Sequence, residues 1–207
     1  MKLQISFDIP DLDKALQIAS TIHERLTIIE VGSLLIYKYG DNAIRQFREL
    51  FPQKTILANM KIVDKGKEAT IIAINAGADW VTVLAGTNRN IIHTVCSTAH
   101  ALGKKVMLDL IDTNSPGQSA LEAQSLGVDA LLFHKPVDDD VQLTTLERWD
   151  MVKGNTKLPI FVSGNVNRTN IATVLEIAPD GVVIGKSIIE NDNPLEEIQY
   201  FSSIIDK

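Results

Sequence analysis

The chain has 207 residues, 45% of them hydrophobic and 22% charged, with a formal net charge of −6. That is the balance of an ordinary globular protein of one domain or at most two, long enough to bury about 70% of its unfolded surface without disulfides or structural zinc. The lone Cys96 excludes a disulfide framework and reads as a small buried hydrophobe. The acidity is spread rather than gathered against a basic stripe, which excludes a nucleic-acid surface. No apolar run nears the ~20 residues of a membrane span, and the early Asp8 in MKLQISFDIPDLDKA breaks any signal-peptide apolar region. A cytoplasmic protein is expected.

In chain order, the first strand signal is LQISFD (3–8), and Asp11 can cap a helix over DLDKALQIASTIHERL. TIIEV (27–31) and TILANM (55–60) read as strands two and three. Helical spacing over 67–76 precedes strand WVTVL (80–84), NRNIIHTVCSTAHAL (88–102) precedes KVMLDL (105–110), and SPGQSALEAQSL (115–126) precedes ALLFH (130–134). DDDVQLTTLERWDMV patterns less clearly as the sixth helix and could be partly loop. PIFVS (159–163) leads to a helix opened by Asn167 or Thr169, and GVVIG (181–185) to one begun by Pro194.

Apolar strands alternating with helices imply a parallel sheet covered on both faces. An open doubly wound sheet is the alternative. Three features favour closure: the count of eight, the even spacing, and the similar turns GADW (77–80), GVDA (127–130) and PDGV (179–182) entering strands four, six and eight. An open dinucleotide-binding sheet would also want G-x-G-x-x-G after its first strand, where FDIPDLDKA stands. The reading is a single compact (β/α)8 barrel over residues 1–207, with no second domain.

In such a barrel the active site lies at the carboxyl ends of the strands. Strand one ends at Asp8, two at Glu30, three at Asn59 with Lys61 and Asp64 beyond, five at Asp109, and six at His134. Ionisable groups converging on one mouth must pair with one another, a metal or a ligand. Strands seven and eight run into Gly164-Asn165 and Gly185-Lys186, where these barrels commonly bind phosphate. A phosphorylated small molecule is the first expectation. Asn59 and Lys61, at i and i+2, both face the interior, where the lysine could stabilise an enediolate. Glu30 can reach the same spot, and such a site suits Mg2+, which takes one or two protein oxygens plus substrate.

These residues carry a resemblance that covers the whole chain. MKLQISFD, IIEVGSLLIYKYG, ILANMKIVDKG, AGADWVTVLAG, KKVMLDLI, the strand-six histidine, VSGNVN and VVIGKSII resemble the orotidine-5′-monophosphate decarboxylase superfamily of ribulose-phosphate-binding barrels. Within it the likeness is to the 3-hexulose-6-phosphate synthase and 3-keto-L-gulonate-6-phosphate decarboxylase group. The resemblance implies Mg2+ between Glu30 and residue 59, Lys61 on the enediolate, His134 shuttling protons, and Asp8 on substrate hydroxyls. It also implies that Asp64 orients Lys61 or reaches a neighbouring subunit's site, that Asp109 joins Gly164, Asn165, Gly185 and Lys186 in binding the phosphorylated sugar, and that the protein is a homodimer with shared sites. His23, His93 and His100 lie in helices and are read as structural.

Two positions depart from the group's pattern. Asn59 stands where the group has aspartate, which removes a negative charge from the implied metal site and predicts binding weakened at least ~10-fold. Val137 stands where the decarboxylases place an arginine, which leans towards the synthase: reversible condensation of formaldehyde with D-ribulose 5-phosphate. The decarboxylase is the alternative, and a non-catalytic phosphosugar-binding barrel the third reading.

Overall fold

The computed structural model describes residues 1–134 and 144–205. Its eight parallel strands are β1 Lys2–Phe7, β2 Ile28–Val31, β3 Thr55–Ile62, β4 Trp80–Leu84, β5 Lys105–Asp109, β6 Ala130–His134, β7 Ile160–Ser163 and β8 Gly181–Ile184. They pair in chain order and close with β8 against β1, so the barrel is the (β/α)8 form that the spacing implied.

Strand alternation divides the apolar residues into two cores. One face of each strand packs outward against the helices, as with Ile5, Ile29, Val81, Val106 and Ile184. The other fills the barrel with Ile28, Leu57, Met107, Ala130, Leu132, Phe161 and Val183. The plug is a packed layer that closes the lower barrel, leaving the inward positions nearer the carboxyl ends to polar side chains. Cys96 is 1% exposed in the outer core, where burial, aided by the charge of Asp129, pushes its thiol up to about 12.

The helices are α1 Leu12–Ile22, α2 Ser33–Tyr39, α3 Asp41–Leu50, α4 Gly66–Asn75, α5 Arg89–Ala101, α6 Pro116–Leu126, α7 Thr144–Lys153, α8 Ile171–Glu176, α9 Lys186–Ile189 and α10 Pro194–Ile205. Asp11 caps α1 by accepting from Lys14 N at 3.0 Å. The α8 helix starts after Asn170, later than expected, because Asn167 Oδ1 first accepts from Thr169 N and Oγ1 in a preceding turn. Sequence reading named no helix between β2 and β3; α2 and α3 occupy that stretch, divided at Gly40. Part of the sixth helical pattern, and the Lys135-Pro136-Val137 segment, lie outside the described residues. No helix among the described residues is long and apolar enough to cross a membrane.

The three similar turns have a common construction. Asp79, Asp129 and Asp180 each donate a backbone N–H to the preceding strand, at Ile56, Val106 and Ile160 respectively. Each carboxylate then accepts that same residue's N–H, at 2.8–3.0 Å. Each also meets a base: Arg48 and Lys104 at Asp79, His100 at Asp129, and Lys153 at Asp180. The amino-terminal rim is thus pinned at alternate strands, away from the opposite mouth.

Candidate active site

A cavity of about 340 Å³ opens at the carboxyl ends of the strands. Asp8, Glu30, Asn59, Lys61, His134, Gly164, Asn165, Gly185 and Lys186 all line it. The polar strand ends therefore converge, as the barrel geometry requires.

Asp8 follows β1, and its Oδ1 accepts the N–H of Leu34 at 2.7 Å in the first turn of α2. The residue preceding that helix, Gly32, has no side chain to cap it, so Asp8 caps it from the end of the neighbouring strand. Gly32 is needed for this approach: a Cβ there would lie 2.5 Å from the Cα and Cβ of Asp8.

Glu30 is 3% exposed and surrounded by donors. Gln4 Nε2 donates to its Oε2 at 2.6 Å; Ser6 Oγ and Asn59 Nδ2 donate to its Oε1 at 2.9 and 2.7 Å. Burial nevertheless pushes the Glu30 carboxyl above the usual range; the three hydrogen bonds oppose that, and the charge of Asp8 adds to it.

The third strand does not continue as a regular ladder. Its pairing with β4 shifts between Ala58 and Ile62, leaving residues 59–61 opposite Thr82 alone. Lys61 takes φ 45°, unusual for a non-glycine residue, and its N–H donates to Thr82 Oγ1 at 2.9 Å. Thr82 Oγ1 in turn donates to Asn59 Oδ1 at 3.1 Å. Asn59 and Lys61 do share the cavity, but through a bulge rather than plain alternation.

Asp109 is fully buried and does not line the cavity. It accepts from His134 Nδ1 at 3.1 Å through both oxygens, lies 3.5 Å from Lys61 Nζ, and takes the Ile111 N–H at 3.0 Å. A carboxylate can only accept, so His134 carries its proton on Nδ1, leaving Nε2 as the proton acceptor. Asp109, expected among the substrate-binding groups, stands behind the wall in this structure and holds Lys61 and His134. Asp64, expected to orient Lys61 or to reach a neighbouring subunit's site, makes no hydrogen bond or ion pair with Lys61 of its own chain among the described residues. Asp64 is exposed and accepts from Lys65 N at 2.7 Å, and the carboxylate beside Lys61 is Asp109.

Beside His134, whose register partner is Ser163, Gly164 and Asn165 take φ values of 122° and 50°. A tight turn of this kind leaves backbone N–H groups open to an anion. Gly185 faces β1, with 3.0 Å between a built Cβ and the Ser6 carbonyl oxygen. Lys186 lies 3.8 Å from Glu190 at the rim.

Gln4, Ser6 and Thr82 were not singled out from sequence. Their signal is parity: Gln4 and Ser6 share the inward face of β1 with Asp8, and Thr82 is the polar residue inside an apolar strand.

The Mg2+ implied between Glu30 and residue 59 does not fit this donor set. Mg2+ is held at about 2.1 Å by one or two carboxylates with waters and substrate oxygens, and the one carboxylate here, Glu30, already accepts three hydrogen bonds. Here the Asn59 amide nitrogen is turned towards Glu30, and the amide oxygen is engaged by Thr82.

Comparison with known proteins gives the family and bears out the barrel. Residues 1–201 match the model of the orotidine 5′-phosphate decarboxylase / HUMPS family. The chain is 26% identical to a 3-hexulose-6-phosphate synthase of Bacillus subtilis (strain 168), over 99% of both chains. It is 30% identical to one of Mycobacterium gastri, over 94% of both. A crystal structure of the Salmonella typhimurium 3-hexulose-6-phosphate synthase superposes with a TM-score of 0.92 at 29% identity, covering 99% of this chain and 98% of that one.

Proposed function

The chain belongs to the orotidine 5′-phosphate decarboxylase / HUMPS family, and from that premise we propose that it is a carbon–carbon lyase of the 3-hexulose-6-phosphate synthase type. Its reaction is the reversible condensation of formaldehyde with D-ribulose 5-phosphate in the cytoplasm. The observation that carries this reading is the buried Asp109 holding both Lys61 and His134 at one wall of the cavity, beside the turn at Gly164-Asn165 that offers backbone N–H groups to an anion. Relatives of that name at 26–30% identity, matching nearly end to end, support it.

The phosphate of ribulose 5-phosphate docks at the backbone of Gly164, Asn165 and Gly185, with Lys186 adding positive charge. Asp8 has one oxygen committed to Leu34 and offers the other to sugar hydroxyls. Nε2 of His134 removes the proton on the carbon beside the ketone, and the electron pair spreads onto the enediolate oxygens. The Lys61 ammonium stabilises that charge where it develops. The carbanion bonds to the formaldehyde carbon, whose carbonyl electron pair passes to oxygen, and the imidazolium gives its proton to that alkoxide to form the new hydroxyl. Asp109 keeps the ring in the correct tautomer and balances both cations.

Asp64, exposed beside the exposed Val63, suits a role across a subunit interface, and we read the active form as a homodimer with shared sites.

The test is formaldehyde consumption in the presence of ribulose 5-phosphate. Wild type should consume it, and Lys61→Ala should lose at least ~100-fold of the rate while remaining folded. No consumption by folded wild type would overturn the reading and favour decarboxylation of 3-keto-L-gulonate 6-phosphate.

A further inference from the structure

The polar residues under the cavity form a chain of hydrogen bonds that runs in one direction. The Lys61 N–H can only donate, and it donates to Thr82 Oγ1. The Thr82 hydroxyl donates to Asn59 Oδ1, which leaves the amide Nδ2 to donate to Glu30 Oε1, at 2.7 Å. Ser6 and Gln4 complete the set of donors on Glu30. Gln4 is itself fully buried, and its Oε1 is the one buried side-chain N or O atom among the described residues without a partner. Three donors are thus gathered around a single carboxylate, with the unpartnered Gln4 Oε1 buried beside it.

With a carboxylate at position 59, two acceptor-only groups would face each other at this point, and a cation would be needed between them. The amide removes that need. Asn59 Nδ2 carries two hydrogens: one is spent on Glu30, and the other is left for an oxygen in the cavity that Asn59 lines.

We propose that this chain has replaced a divalent cation at Glu30 with the Asn59 amide, so that it binds no metal between these residues and its turnover requires none. The Asn59 N–H and the Lys61 ammonium then supply the positive face to the substrate oxygens. The statement about turnover rests on the lyase reading above; the statement about binding does not.

The experiment uses the full chain, stripped with EDTA and titrated with Mn2+ followed by electron paramagnetic resonance. Turnover of formaldehyde with ribulose 5-phosphate is measured in EDTA and in Mg2+. Wild type should show no Mn2+ site tighter than about millimolar, and its turnover should be the same in EDTA as in Mg2+. Asn59→Asp should gain one site at least ~10-fold tighter than any in wild type, and adding Glu30→Gln should abolish it. A saturable Mn2+ site in wild type that disappears in Glu30→Gln would overturn the proposal, as would wild-type turnover abolished by EDTA and restored by Mg2+. Wild type alone decides the binding result if Asn59→Asp does not fold. If wild type turns over in neither condition, the lyase reading fails, and the Mn2+ titration still decides whether the amide has displaced the metal.

Discussion

Glu30 shows how a site residue is held against its own solvation. Its carboxyl is raised by burial faster than three hydrogen bonds can lower it, so between the unfolded and folded pKa values the native state holds more protons than the unfolded chain. The stability contributed by this group is fully present below the unfolded pKa and is lost as pH rises through the folded one. A glutamine at this position does not titrate, so Glu30→Gln should gain stability relative to wild type as pH rises from about 4 to about 8. Thermal melting of both proteins across that range checks the slope; a stability difference independent of pH would refute it. Glu30, Asn59, Lys61 and His134 were all legible in the sequence because each is a polar residue ending or following an apolar strand. Gln4 and Thr82 were not, since a polar residue within a strand does not reveal whether it faces the cavity or a neighbour. Asp109 was legible in position, but its contacts with Lys61 and His134 were not. Nothing in KVMLDL distinguishes a carboxylate that meets substrate from one buried behind the residues that do.

The elements were easier to read than their irregularities. Eight strand signals predicted eight strands because parallel strands covered on both faces must be apolar and short. The bulge in β3 left no such trace, because it depends on Thr82 across the pairing and on the left-handed turn at Lys61. The loop between β2 and α2 is equally dependent on a neighbour. Gly32 has φ −66°, which any residue can adopt, so only the crowding by Asp8 explains its need for glycine. Adding one methyl group there must displace the Asp8 backbone, not merely a flexible side chain. Gly32→Ala should therefore destabilise the protein by about 1–3 kcal/mol, in line with overpacking elsewhere. It should also lower turnover by more than the folded fraction accounts for, because Asp8 loses its place both as cap of α2 and in the cavity. Chemical denaturation alongside turnover per folded molecule separates the two effects. A stability loss with unchanged turnover would show that Asp8 is not needed where it stands.

At the scale of the whole barrel, chemistry and stability are assigned to opposite rims. The carboxyl ends hold the ionisable cavity, while the amino ends hold Asp79, Asp129 and Asp180, each locking one strand to the next and each facing a base. Asp79 has the densest set of partners. Burial pushes its carboxyl up, but hydrogen bonds from Lys104 and the Ile56 N–H, with the charge and hydrogen bond of Arg48, together hold it below the usual range. Its contribution to stability is thus present above the unfolded pKa of about 3.9 and lost as pH falls through the lower, folded value. Arg48 also bridges the backbone oxygens of Gly77, Phe51, Pro52 and Lys54, so removing its carboxylate leaves a cation fixed among carbonyls without its counter-charge. Asp79→Asn should cost about 1.5–3 kcal/mol near neutral pH, the range for hydrogen bonds to charged groups. The cost should begin to shrink below about pH 4, where the unfolded chain takes up the proton, and be gone below the lower, folded value. Because the turn lies at the rim opposite the cavity, turnover per folded molecule should be unchanged. A fall in specific turnover in Asp79→Asn, with the barrel shown to be folded, would mean that strain at the closed rim reaches the bulge in β3 through the Ile56 end of that strand. The two rims could then no longer be treated as independent.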